Sequence, residues 1–131
     1  MSQNKTVSRV ALVIGVLLII TAGLHSLNMS GAVIAIKTGD ISPSQASAVL
    51  SVWLFSSMSM ILLGIWLIFL SGDLEKLSRR AWWQALIIGA GLAGFSLISW
   101  YHFPRDFHLL YFLLLALCLL VPLFSNRGKF K

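Results

Sequence analysis

Apolar residues occupy this chain in four long runs, and the charged residues lie between them. Positions 10–36 carry no Asp, Glu, Lys or Arg, and the run from Val10 to Leu24 is strongly apolar. The pattern predicts four membrane helices, over about 10–30, 44–70, 81–101 and 107–124. Ser42-Pro43-Ser44-Gln45 carries the marks of a helix start, with Ser at the cap, Pro at the first helical position and Gln completing a capping box. Ser71-Gly72-Asp73 ends the second run, and Gly72 is placed for a left-handed cap. In the third run Trp82 and Trp100 lie 18 residues apart. At 1.5 Å per residue that is roughly 27 Å, close to the hydrocarbon thickness of a bilayer at about 30 Å. The aromatic residues at both ends of this run suit the two interfaces. Residues 102–106 form a connection short enough to require antiparallel neighbours, with Pro104 stopping the third helix and Asp106 capping the fourth. The expected fold class is an all-α integral membrane protein, a single four-transmembrane-helix up-down bundle over 1–131.

Composition sharpens this picture. Of 131 residues, 58% are hydrophobic and 11% charged, against about 25% charged in soluble domains. A short chain has no soluble core large enough to hide that surface, so lipid is the expected partner for much of it. The net charge of +6 is distributed in short basic clusters between apolar runs, which suits topology and anionic head groups rather than nucleic acid. With both termini in the cytoplasm, Lys5, Arg9, Lys76, Arg79, Arg80, Arg127, Lys129 and Lys131 lie inside, and Lys37 and Arg105 outside. Eight against two is a strong bias under the positive-inside rule, and the expected location is a bacterial inner membrane. The basic leader and apolar run at the start also fit a cleaved signal peptide, with 33–35 as its cleavage site. The uncharged run is longer than the 7–15 residues usual for such a peptide, which favours a retained span. The lone Cys118 permits no intrachain disulfide, Cys-x-x-Cys pair or cysteine zinc site.

The third run contains Gly89-Ala90-Gly91-Leu92-Ala93-Gly94, formally a G-x-G-x-x-G. A dinucleotide site would need a strand before it and a βαβ unit around it, and this one sits in mid-span. Ala85, Gly89, Ala93 and Ser96 share one helix face, which Ala90 and Gly94 widen. Such a face lets two backbones approach closely, within the chain or in a homo-oligomer. Ser51, Ser56, Ser57 and Ser59 in the second run suit interhelical bonds or bonds to the preceding turn. Trp53 and Trp66 sit toward opposite ends of that run and suit the interfaces.

No carboxylate falls within a span, whereas proton-coupled transport usually embeds one. The layout is similar to that of the small multidrug-resistance exporters. Those rely on a glutamate in the first helix; this chain has none, so the likeness ends at helix count. The candidate chemistry lies with the three histidines, all expected at the outer side. Thr21, His25 and Asn28 share a face of the first span, Ser99 and His102 a face of the third, and His108 and Tyr111 a face of the fourth. Asp40, Arg105 and Asp106 lie at the rim. If these faces turn inward, His25, Asn28, Ser99, His102, His108 and Tyr111 line an outer polar pocket. The leading expectation is a non-enzymatic accessory or interaction subunit, with a membrane protein as partner, or a binder of a small lipophilic ligand, with no cofactor. The alternatives are a redox protein holding haem b, a transition metal or a quinone through His25, His102 and His108, and a homo-oligomeric transporter. The bland reading makes His102 and His108 wet interfacial residues, with His25 bonded inside the bundle.

Overall fold

A computed structural model describes residues 3–27, 29–39, 41–104 and 109–131. The chain forms helices α1 (Gln3–Leu27), α2 (Met29–Lys37), α3 (Pro43–Glu75), α4 (Arg79–His102) and α5 (Leu110–Ser125), followed by a 3-10 turn at Arg127–Lys129. No strand occurs among the described residues. Among the described residues three segments, Lys5–Gly31, Ser44–Glu75 and Arg79–His102, are long and apolar enough to cross a membrane. α5, with 16 residues, is about 24 Å long.

The sequence explains most of the helix ends. Ser42 and Gln45 form the expected reciprocal capping box. The Gln45 amide donates to Ser42 Oγ at 3.3 Å, and the Ser42 amide to Gln45 Oε1 at 3.0 Å. The far end of α3 differs from expectation. Gly72 lies inside the helix, and the left-handed residue is Leu77, with φ +62°. The amide of Leu77 donates to the Leu74 carbonyl and that of Ser78 to the Asp73 carbonyl, both at 3.1 Å. This is a Schellman turn with leucine at the position glycine usually takes. Leu77 is held there because its side chain packs on the core, which offsets the backbone cost. α5 starts with Leu109 at the cap position and no side-chain cap bond; Asp106, expected to cap it, lies outside the described residues.

The helices pack as two antiparallel pairs, α1 with α3 and α4 with α5, around one apolar cluster. α1 contributes Val7, Ala11, Ile14 and Leu18, each one turn from the last, so the helix and its buried face reach into the polar leader. Facing them on α3 are Leu67, Leu70 and Leu74. Between these layers α1 and α3 cross with backbones in contact. A Cβ on Gly15 would sit 2.6 Å from the Gly64 carbonyl oxygen, and one on Gly64 would sit 2.6 Å from that of Gly15. Only glycine permits that approach.

The α4 stripe does a different job. Ala85 is buried, and Leu120 of α5 fills the space left by Gly89, where a Cβ would meet Leu120 Cδ2 at 2.7 Å. Ala93 packs against the cluster, while a Cβ on Gly94 would meet nothing within 4 Å. Ser96 is wholly buried and donates to the Leu109 carbonyl at 2.6 Å, joining α4 to the start of α5. At the other end of this pair Trp82 is buried, while Trp83 is half-exposed. The Trp82 indole N–H donates to the Leu123 carbonyl at 3.0 Å, one of the last carbonyls of α5, which lack helical partners. Trp82 therefore joins the two helices.

Candidate functional site: an apolar groove walled by His25 and Trp53

Toward the end of α1 the glycine seam with α3 gives way to a polar one. The His25 ring lies flat on the Trp53 indole, with centroids 4.5 Å apart and planes 9° from parallel. Trp53 Nε1–H donates to the His25 carbonyl at 2.8 Å. That carbonyl lies in the last turn of α1, where helix carbonyls lose their regular partners. His25 Nε2 and Ser56 Oγ are 2.9 Å apart, and Ser56 Oγ also lies 2.9 Å from the Trp53 carbonyl. A hydroxyl has one proton. With the proton on Nε2, bonds run from His25 to Ser56 to the Trp53 carbonyl; with the other tautomer Ser56 donates to His25. One residue along on each helix, Ser26 Oγ lies 3.1 Å from Ser57 Oγ and 2.9 Å from the Ala22 carbonyl, and Ser57 Oγ donates to the Trp53 carbonyl at 3.1 Å. Ser57 is buried, and its neighbours satisfy it.

This seam forms one wall of a groove of about 470 Å³ lined by His25, Ala48, Val49, Val52, Trp53, Ser56 and Phe95. The groove is open along one side, and its surface is almost wholly apolar, because His25 and Ser56 turn their polar atoms toward each other. Phe95 reaches it from α4 and is backed edge-on by Phe112 of α5, centroids 5.5 Å apart. The volume falls in the range of small-molecule sites, roughly 300–1,000 Å³.

Four of the six residues expected to line an outer pocket are among the described residues. Of these, His25 lines the groove. Tyr111 lies in the α1–α5 seam, its hydroxyl 3.2 Å from Thr21 Oγ1. Ser99 is half-buried on α4, its carbonyl accepting from the Phe103 amide at 2.8 Å. His102 is exposed, its ring between those of Tyr101 and Phe103. Asn28, His108, Asp40, Arg105 and Asp106 lie outside the described residues. Among the described residues no group of three or more His, Cys, Asp or Glu is placed to hold a metal ion. Trp53, Ser56 and Phe95 are site residues the sequence reading did not gather. The signal for them was Trp53 and Ser56 one turn apart, which reads equally well as an interface anchor and a packing serine.

The His25–Ser56 separation matches that of a base and a nucleophile. The setting does not. Ser56 sits well inside α3, where neighbouring amides are spent on helix bonds, and the nearby indole N–H is spent on the His25 carbonyl. Among the described residues no donor pair is left to hold an oxyanion. The arrangement positions rings and seals a wall. Comparison with protein families, with curated proteins and with solved structures returns no match for this chain.

Proposed function

We propose that this chain is a four-span membrane protein, both termini cytoplasmic, that binds the apolar part of a lipophilic molecule in the groove between α1, α3 and α4. The observation that carries the reading is a groove of about 470 Å³ whose walls are apolar although a histidine and a serine line it. Large apolar side chains are exposed along every long helix, including Val16 and Ile20 on α1, Phe55 and Phe69 on α3, Ile87 and Ile98 on α4, and Val121 on α5. In water such surface would drive aggregation; in a bilayer it is solvated. The basic residues at one end support the orientation.

A flat, bonded His25–Trp53 wall gives the groove a fixed shape, which lowers the entropic cost of holding a ligand. With its polar atoms engaged, the wall selects by shape and apolar contact, as suits an acyl or isoprenoid chain. The test is the lipid content of purified protein, measured by mass spectrometry, in the natural chain and in A48F and V52W. Both positions are exposed and line the groove, so the larger side chains fill it without disturbing the core. A lipophilic species held at about one per chain and lost in both variants is the expected result. Equal lipid content in all three proteins would overturn the proposal.

A further inference from the structure

At the end of the molecule away from the groove, the segment after α5 folds back. Phe130 is buried with 3% exposure, its ring 6.5 Å from that of Trp82. The Lys131 amide donates to the Leu77 carbonyl at 3.1 Å, and the Arg79 amide donates to the Lys131 carbonyl at 2.9 Å. A buried ring and two backbone bonds therefore fasten this segment to the turn between α3 and α4.

The consequence is electrostatic. Docking sets Arg127, Lys129 and Lys131 beside Lys76, Arg79 and Arg80, all six exposed. The carboxylates described nearby are Asp73, 3.4 Å from Lys76 Nζ, and Glu75. Counting side chains, six cations against two carboxylates leave an excess of four positive charges on one cap. The cap borders apolar surface, since Trp83 and Phe124 are about half-exposed within a few residues of it.

We propose that this cap binds the phosphate head groups of anionic phospholipids and that the docked Phe130 segment builds the site. An amphipathic lipid satisfies both halves of the surface, phosphate on the cations and glycerol and chain against Trp83 and Phe124. An acidic soluble protein would leave those aromatic faces uncovered. Arginine guanidinium groups match phosphate geometry, and clustered Lys and Arg near a span attract anionic lipid. Tethering removes much of the entropy cost of gathering cations from two parts of the chain.

The test uses the whole chain in nanodiscs of equal phosphatidylglycerol and phosphatidylcholine, with the lipids retained after extraction counted by mass spectrometry. The natural chain retains phosphatidylglycerol several-fold over phosphatidylcholine. F130S keeps every charge but releases the segment, and its enrichment falls at least threefold. R127Q/K129Q/K131Q keeps Phe130 and loses the enrichment as well, which holds the test open if F130S folds poorly. K37Q, which removes an exposed cation at the other end of the molecule, leaves it unchanged. Absence of phosphatidylglycerol preference in the natural chain would overturn the proposal, as would a folded F130S that enriches as the natural chain does. So would complete displacement by inorganic phosphate at the lipid's concentration, which would mark a free-anion site.

Discussion

The Gly15–Gly64 crossing gives the sharpest test of how the molecule is held together. G15A places a methyl carbon 2.6 Å from the Gly64 carbonyl oxygen and within 2.9 Å of Ile68 Cγ1. Ordinary contact begins near 3.4 Å, so α1 and α3 must separate by several tenths of an ångström at the crossing. The obstructing atom is backbone and cannot rotate away. Overpacking of this kind costs about 1–3 kcal/mol, and replacing a mid-helix glycine with alanine returns up to about 1 kcal/mol. The net expectation is a loss of about 1–2 kcal/mol for G15A and a similar loss for G64A.

Both methyls press on the same crossing. Once the helices part for one, the other meets less resistance, so G15A/G64A costs less than the two added together. G94A is the matched control. It lies in a span and makes the same chemical change, but its Cβ meets nothing within 4 Å, so its stability is unchanged or raised. The assay is reversible unfolding in mixed micelles, followed by far-UV circular dichroism as denaturing detergent replaces the mild one. G15A as stable as the natural chain, or a double variant whose loss equals the sum, would refute the close backbone crossing.

Other substitutions probe single contacts. S56A removes the group bonded to His25 Nε2 and should cost about 1 kcal/mol in the same unfolding assay. L77V puts a β-branched residue at φ +62° and should lose about 1–2 kcal/mol, more than a surface substitution in the same turn. W82F keeps most of the buried ring but leaves the Leu123 carbonyl without its indole donor, and its unfolding midpoint should fall by the equivalent of about 1–2 kcal/mol. In a C118A background, a cysteine replacing Arg80 should react in whole cells only with a membrane-permeant maleimide, and one replacing Thr38 also with an impermeant reagent. The reverse pattern would contradict cytoplasmic termini.

Features set by neighbouring residues could be read directly from the chain. The charge-free first run, the Ser42 capping box and the spacing from Trp82 to Trp100 depend on local composition, so the long apolar helices followed from sequence alone. Which face of each helix turns inward did not. In a membrane protein both the packed face and the lipid face are apolar, so the polar-apolar contrast that marks the inner side of a soluble helix is missing. The α4 stripe showed that a face could pack closely, but not that Gly89 would receive Leu120 while Gly94 stayed open. Gly15 and Gly64 looked like isolated glycines because each has meaning only opposite the other, across a crossing of two helices distant in sequence. His25 could be placed near the end of the first run, but not on Trp53 and Ser56, for the same reason. Gly72 looked like the cap of α3 on local rules, yet the core contacts of Leu77 carry the helix beyond it. Local chemistry decided which segments are helices; partner choice, a property of long-range packing, decided the seams, the groove and the docked segment beneath Trp82.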